Sequence, residues 1–185
     1  MLPRSVLRVA VTLLSLCIGI SAAELNGVWL DVPFVHQEKE GCGAASIAMV
    51  MRYWRLRQGQ PENQSTDASN ILQALYSKEA HGIRVSEMVR YFQQNGYRTF
   101  EYAGDWADFA QQLSKGRPLI AALKTGSDDS LHYLVVVGVD PDRRLVMMND
   151  PAQRKLLKEE WSRFEREWKG TGNWTLLAVP DAQPQ

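Results

Sequence analysis

The sequence predicts an α+β domain, because helix-type and strand-type hydrophobic patterns occupy different halves of the chain. Between residues 44 and 113, apolar side chains recur mainly at intervals of three and four, as on the buried face of a helix. After residue 117 the interval falls to two or less, which is typical of strands. Helices and strands do not alternate regularly, so a parallel βαβ arrangement is not expected. We therefore expect an N-terminal helical lobe packed on a C-terminal antiparallel sheet.

The individual elements follow from the same patterns and from their end signals. Small polar residues mark helix starts because they accept hydrogen bonds from free backbone N–H groups, and glycine marks helix ends. The expected helices are Ala44–Leu56, one over Ile71–Tyr76 capped by Thr66 or Asp67, one from Ser86 to Asn95, one from Asp105 to Gly116, and Lys155–Trp168. The expected extended segments are Asn26–His36, Tyr97–Tyr102, Pro118–Leu123, Leu131–Val139, Leu145–Asn149 and Trp174–Val179.

Composition places the chain among ordinary globular proteins. It has 185 residues, of which 45% are hydrophobic and 23% charged, enough for one domain and a short appendage. The 21 basic and 21 acidic residues balance. This balance indicates neither a nucleic-acid-binding protein nor one that binds membranes through a basic surface.

Residues 1–23 have the three parts of a secretory signal peptide. Arg4 and Arg8 precede the apolar run Val9–Ile20, and Ser21-Ala22-Ala23 supplies the small residues of a cleavage site. The run is shorter than the roughly 20 residues that a membrane-spanning helix needs. We therefore expect cleavage and export to the periplasm or the extracellular space. An uncleaved N-terminal anchor is the alternative.

Cleavage would leave a domain at residues 24–180, a polar tail at 181–185 and no membrane span. It would also remove Cys17, so that Cys42 would be the one remaining cysteine. Cysteines in an oxidising compartment usually form pairs. A lone thiol there is either buried and inert or retained for its reactivity.

The context of Cys42 suits a reactive thiol. Cys42 lies between Gly41 and Gly43, where a loop becomes the first predicted helix. Free N–H groups and the helix dipole at such a point stabilise a negative charge, and a thiolate is one. The two glycines allow a tight turn and a close approach of substrate to the sulfur. The alternative is a small apolar residue packed at a helix end.

His132 is the strongest candidate for a base among three histidines. It opens the most apolar predicted strand, whereas His36 and His81 lie in loops. If Val139 pairs with Arg143 in a hairpin, His132 lies directly opposite Asp150. A register shifted by two residues makes them diagonal neighbours, and a shift of one puts them on opposite faces.

In the two favourable registers the Asp150 carboxylate can bind a ring N–H of His132 and stabilise the imidazolium. The alternatives are a hydrogen-bonded core histidine for His132 and a turn residue before Pro151 for Asp150. Gln37, on the loop before Cys42, could donate its side-chain amide to an oxyanion, together with the Cys42 backbone N–H. The alternative for Gln37 is an ordinary loop glutamine.

Four motifs together resemble the bacteriocin-processing peptidases, which cleave leader peptides after a double glycine and are papain-like cysteine peptidases. The motifs are Asp31-Val32-Pro33-Phe34-Val35-His36-Gln37, Gly41-Cys42-Gly43-Ala44-Ala45-Ser46, Leu131-His132-Tyr133 and Asn149-Asp150-Pro151. The resemblance implies a papain-like fold with Gln37 in the oxyanion hole. It also implies that Cys42 is the nucleophile, His132 the base and Asp150 the orienting acid.

The sequence therefore predicts an exported cysteine peptidase that acts on a peptide or protein and needs no cofactor. Acyl transfer of the transglutaminase or amidase type is an alternative with the same chemistry. A peptide-binding module that uses the cleft without chemistry is another. Metal binding through Cys42 and His132 is the weakest alternative, because no further Cys or His lies at ligand spacing from either.

Overall fold

A computed structural model describes residues 27–125 and 131–181. The predicted signal peptide, the first residues of the predicted domain and residues 182–185 of the predicted tail lie outside the described residues. In the two described ranges no helix is both long enough and apolar enough to cross a membrane.

Helices and strands are distributed as an α+β fold requires. The helices are α1 Cys42–Arg57, α2 Ala68–Leu75, α3 Val85–Gln94, α4 Trp106–Ser114 and α5 Trp161–Lys169, with a short 3₁₀ turn at Gln64–Thr66. The strands are β1 Val28–Trp29, β2 Tyr76–Ser77, β3 Gly82–Ile83, β4 Tyr97–Ala103, β5 Leu119–Leu123, β6 His132–Asp140, β7 Leu145–Asp150, β8 Arg154–Glu160 and β9 Trp174–Pro180.

One antiparallel sheet forms the centre of the fold. Its strands follow the order β4-β9-β5-β6-β7-β8, and β1 pairs with part of β6. β2 and β3 form a separate two-stranded ribbon between α2 and α3. The predicted antiparallel sheet and the α+β class are confirmed.

The central strand β6 is buried on both faces, which explains its continuous apolar sequence. Tyr133 and Val135 belong to the core that contains α1, α2 and α3. Leu134 and Val136 belong to a second core, which contains α4 and α5. The helices therefore cover both faces of the sheet, and the nucleophile candidate and the strand that carries His132 share the first core.

Two predicted helix caps are confirmed in detail. The Asp67 carboxylate accepts a hydrogen bond from the Asn70 backbone N–H at the start of α2. The Asp105 carboxylate accepts one from the Asp108 N–H at the start of α4, and the Asp108 carboxylate accepts one from the Asp105 N–H in return.

Three element predictions need correction. The predicted helix Lys155–Trp168 is a strand, β8, up to Glu160, and it becomes helical only at Trp161. Its charged first half pairs along the edge of the sheet with β7, a setting in which lysines are common. α3 begins at Val85, so Ser86 lies inside its first turn and does not cap it. In the described part of the predicted extended segment Asn26–His36, only Val28–Trp29 is a strand.

Candidate active site

Cys42 is the first residue of α1, and its side chain is partly exposed. The N-cap position is Gly41, so no side chain caps this helix end, and its first turn holds no acidic residue. The backbone N–H groups at this end are therefore available to a negative charge at the sulfur or beside it. The Cys42 sulfur lies 3.9 Å from the Leu131 carbonyl oxygen, at the start of β6.

His132 and Asp150 form a close pair at that same end of the sheet. The His132 Nε2 atom lies 2.9 Å from the Asp150 Oδ1 atom. Both side chains are largely sheltered, with 19% of His132 and 4% of Asp150 exposed. Cys42 lies close enough to the His132 ring to be among the causes that raise the pKa of that ring. Because Asp150 occupies Nε2, Nδ1 is the ring nitrogen left for the sulfur.

A β-bulge brings His132 and Asp150 to the same face of the sheet. Near the hairpin, Val139 pairs with Val146, a register that would put His132 and Asp150 on opposite faces. Val137 is an extra residue in β6, and beyond it Val136 pairs with Met148.

The bulge therefore restores the diagonal relation that the sequence analysis gave as one of its two favourable registers. The other favourable register, with Val139 opposite Arg143, is wrong. The hairpin closes at Asp140 and Leu145 instead.

Asp150 is also a turn residue, as its alternative interpretation proposed. The backbone N–H of Ala152 donates to Oδ1 at 2.9 Å, and the Gln153 side-chain amide donates to Oδ2 at 2.6 Å. The Gln153 backbone N–H donates to the Asp150 carbonyl oxygen at 3.0 Å. The turn and the contact with His132 coexist because they use different lone pairs of one carboxylate.

The electrostatics of the pair favour its charged form. Burial lowers the pKa of His132, but the hydrogen bonds and negative charges of Asp150 and Cys42 outweigh burial and raise it to about 9. Burial likewise raises the pKa of Asp150, but the contact with His132 and the donors of the turn hold it below its usual value. An imidazolium facing a carboxylate is thus the stable state near neutral pH.

Gln37 is joined to the turn after β7 through its backbone. Its N–H donates to the Pro151 carbonyl oxygen at 3.0 Å, which fixes the loop before α1 next to Asp150. The Gln37 Oε1 atom is buried and makes no hydrogen bond within the described ranges. A buried amide oxygen without a partner is unusual in a folded protein.

The other two histidines make no contact with Asp150. The His36 ring contacts the Gln37 carbonyl oxygen at 2.9 Å on the surface. His81 lies on the β2–β3 loop and contacts Glu40 at 3.5 Å. The structure thus brings Cys42, His132 and Asp150 together and ties Gln37 to them.

A cleft of about 600 Å³ ends at Cys42. One wall is the β2–β3 ribbon and the residues after it, from Glu79 to Val85. Leu131 and Tyr133 of the β6 region complete the lining. Burial is the main cause that raises the pKa of the Tyr133 hydroxyl above its usual range, so this hydroxyl is neutral. The sequence analysis missed the ribbon, because two-residue strands leave no periodic signal.

A polar contact links the loop before Cys42 to that ribbon. Glu40 has a φ of 57°, a left-handed conformation that glycine normally occupies. Its carboxylate accepts a hydrogen bond from the Tyr76 hydroxyl and contacts His81, which has a φ of 48°. The hydrogen bond from Tyr76 is the largest influence that lowers the pKa of Glu40. Two strained residues thus face each other where the loop meets the wall of the cleft.

Within residues 27–125 and 131–181, no three His, Cys, Asp or Glu side chains lie close enough together to hold a metal ion.

Comparison with known families identifies the chain. The sequence model of the Peptidase_C39 like family matches residues 29–176, which include all four candidate residues. The chain belongs to this family. It is accordingly a cysteine-type peptidase with a papain-like fold, and the predicted resemblance is confirmed. No curated protein matches the chain.

Solved structures show the same fold at low sequence identity. A structure described as a C39-like peptidase from Bacillus anthracis has a TM-score of 0.65 and 16% identity, and the match covers 85% of this chain and all of that one. Xylellain, a cysteine protease from Xylella fastidiosa, has a TM-score of 0.62 and 11% identity over 85% of this chain and 86% of its own.

A third structure is a double glycine motif protease from an AMS/PCAT transporter in complex with the leader peptide. Its TM-score is 0.60 and its identity 20%, over 83% of this chain and 94% of that one.

Proposed function

We propose that this protein is an exported peptidase that hydrolyses peptide bonds with Cys42 as nucleophile. His132 acts as acid and base, Asp150 orients it, and Gln37 stabilises the oxyanion. The observation that carries the proposal is the pair of contacts of the His132 ring. It binds Asp150 at 2.9 Å on one side and meets the sulfur of an uncapped helix start on the other.

The chemistry follows from these contacts in two steps. The Cys42 thiolate attacks the scissile carbonyl carbon while His132 is protonated, and an anionic tetrahedral intermediate forms. The C–N bond then breaks, and His132 gives its proton to the leaving amine, which leaves a thioester on Cys42. Water attacks the thioester, His132 accepts its proton, and the acid product leaves with the thiolate restored.

Two donors are available to the oxyanion of each tetrahedral intermediate. One is the Cys42 backbone N–H, since no side chain caps this helix end. The other is the Gln37 side-chain amide, on a loop held by its backbone bond to Pro151. Fixed donors of this kind stabilise the transition state without any cost of reorganisation.

Asp150 acts through His132 and not on the substrate. Its hydrogen bond to Nε2 fixes the ring orientation and leaves Nδ1 directed to the sulfur. Its charge also supports the imidazolium, in agreement with a pKa of about 9 for His132.

The substrate that suits this site is an extended peptide or protein segment in the cleft beside Cys42. The related AMS/PCAT protease was solved with a leader peptide, so peptides with a double glycine before the cleaved bond are the first to test. The proposed place of action is the periplasm or the extracellular space, on the basis of the signal-like segment at residues 1–23.

A direct test removes the thiol of Cys42. The purified protein is incubated with a library of unstructured peptides, including double-glycine peptides, and cleavage is followed by mass spectrometry. Cys42→Ala should abolish cleavage while peptide binding persists, because the thiol acts only in the chemical step. Ser162→Ala, a control on the exposed side of α5, should cleave at the wild-type rate. Cleavage at the wild-type rate by Cys42→Ala would disprove the mechanism.

Export is tested separately, on protein recovered from the native cells. N-terminal sequencing should find Glu24 as the first residue, in material released from outside the cytoplasm. A chain that begins at Met1 and remains inside the cells would contradict export.

A further inference from the structure

The turn that follows β7 contacts several parts of the proposed machinery. Asp150 receives the hydrogen bond of His132, and the next residue, Pro151, accepts the backbone N–H of Gln37. Four residues, from Asp150 to Gln153, thus hold the base and the loop of the oxyanion donor in one unit. The turn is itself closed by the Gln153 N–H on the Asp150 carbonyl oxygen at 3.0 Å.

Gln153 makes a second contact within this unit. Its side-chain Nε2 atom donates to Asp150 Oδ2 at 2.6 Å, the shortest of the hydrogen bonds that the Asp150 carboxylate accepts. Oδ2 is the oxygen that His132 does not use. A carboxylate can rotate about its Cβ–Cγ bond, and donors on both oxygens fix the plane of the group.

We propose that Gln153 is a positioning residue of the peptidase, which holds the Asp150 carboxylate so that Oδ1 faces His132 Nε2. This inference rests on the proposed roles of His132 and Asp150. Gln153 does not line the cleft beside Cys42. It acts on His132 through the Asp150 carboxylate, as residues that hold a catalytic group in position commonly do.

Other charged groups near the pair are accounted for by contacts of their own. Glu159, Arg163 and Glu167 line a cavity of about 280 Å³ that also borders His132 and Asp150. Arg163 lies 2.7 Å from Glu159 and 3.7 Å from Glu167, so these three form a separate network. Cys42 faces the ring from α1. Replacing Gln153, which lines the same cavity, removes none of these charged groups, so a change in the titration of His132 reports the lost amide donor.

The experiment follows the titration of His132 by NMR in the full chain, which has three histidines and therefore few ring signals. Gln153→Met keeps the length of the side chain and removes the donor. We expect its His132 midpoint to fall by about half a pH unit or more, because the Asp150 carboxylate can then rotate away from the ring. We also expect kcat to fall by up to about tenfold with KM unchanged.

Two further variants make the result specific. Gln94→Met removes an exposed amide at the end of α3 and should change neither the midpoint nor kcat. Asp150→Asn removes the charge itself and should lower the His132 midpoint more than Gln153→Met does. If Asp150→Asn shifts the midpoint but Gln153→Met leaves it within about 0.2 unit, Gln153 is not a positioning residue and the proposed function stands. If Asp150→Asn has no effect either, the proposed pair is wrong as well.

Gln153→Glu covers the case in which Gln153→Met fails to fold. A protonated glutamic acid can still donate to Asp150, and a glutamate cannot. Activity relative to the wild type should therefore be retained in acid and lost as the pH rises through the ionisation of the new side chain. A purely structural role in the turn predicts a constant ratio, and that result would overturn the proposal.

Discussion

His132 and Asp150 lie diagonally opposite each other across two antiparallel strands because β6 contains one extra, unpaired residue, which shifts its register with β7 by one position. The extra residue is Val137, and the next residue is Gly138, which lies against β1. A β-carbon on Gly138 would lie 2.7 Å from both the Val28 carbonyl oxygen and the Trp29 β-carbon. The close pairing of β1 with β6 beside the bulge therefore depends on a glycine at position 138.

Gly138→Ala should destabilise the protein by about 1–3 kcal/mol, because the methyl group meets backbone of β1 that cannot move away alone. Urea unfolding measures the effect. Gly172→Ala is the control: its φ is 67° with no described atom within 4 Å of the added carbon, so only backbone strain of about 1 kcal/mol is expected. Equal stabilities of Gly138→Ala and the wild type would show that β1 does not press on the bulge.

The free energy of unfolding should depend on pH through the His132–Asp150 pair. The pKa of His132 is raised from 6.5 to about 9, so its contribution is complete below pH 6.5 and is lost as the pH rises through 9. The pKa of Asp150 is lowered from 3.8, so its contribution is present above that value and is lost as the pH falls below it. Stability should therefore be greatest between these limits.

Thermal unfolding from pH 3 to pH 10 (roughly the range over which both groups titrate) measures this dependence. The contribution of His132 is on the order of 3 kcal/mol at most. Asp150→Asn should weaken the loss of stability above neutral pH. If Asp150→Asn loses as much stability at alkaline pH as the wild type does, that loss arises from groups other than this pair.

Gln37→Ala should lower kcat by about 10²–10³-fold with little change in KM, as loss of one oxyanion donor does in other enzymes. The backbone bond of residue 37 to Pro151 does not involve the side chain and should survive the substitution. Cleavage kinetics on the peptide found in the cysteine test measure the effect, and exposed Gln94→Ala serves as the control. A Gln37→Ala enzyme that keeps its kcat but binds peptide poorly would make Gln37 a binding residue instead.

Tyr76→Phe should raise KM more than it lowers kcat. The Tyr76 hydroxyl binds Glu40, so its removal frees the ribbon that forms one wall of the cleft while the groups around His132 stay in place. Tyr91→Phe is the matched control, since the Tyr91 hydroxyl binds the Ser65 carbonyl oxygen and Tyr91 does not line the cleft. Steady-state kinetics of both variants decide the point. Equal KM values in Tyr76→Phe and the wild type would mean that the contact between Tyr76 and Glu40 does not fix the β2–β3 ribbon that forms the cleft wall.

Sequence reasoning predicted the fold class, which depends on local hydrophobic period, and it allowed His132 and Asp150 to meet in two of the three strand registers considered. It could not choose the strand register, because a bulge such as that at Val137 depends on packing against another strand. It misassigned Lys155–Glu160 because Leu156 and Leu157 suit a helix as well as an edge strand.

Gln153 and Glu40 were beyond the reach of sequence reasoning for a different reason. Their proposed roles depend on side-chain contacts, that of Gln153 with Asp150 and those of Glu40 with Tyr76 and His81. Such contacts leave no periodic pattern in the sequence. Gln37 could be proposed as an oxyanion donor because it lies on the loop just before Cys42. Its backbone bond to Pro151, which joins residues far apart in the sequence, could not be predicted in this way.

The burial of α1 has a consequence for how long the enzyme stays active. Residues 43–51 are buried without interruption, so Cys42 is attached to a segment that can open only with the core. Amide hydrogens of this segment should exchange with solvent only through global unfolding. Heat inactivation and loss of tertiary structure should then follow one curve.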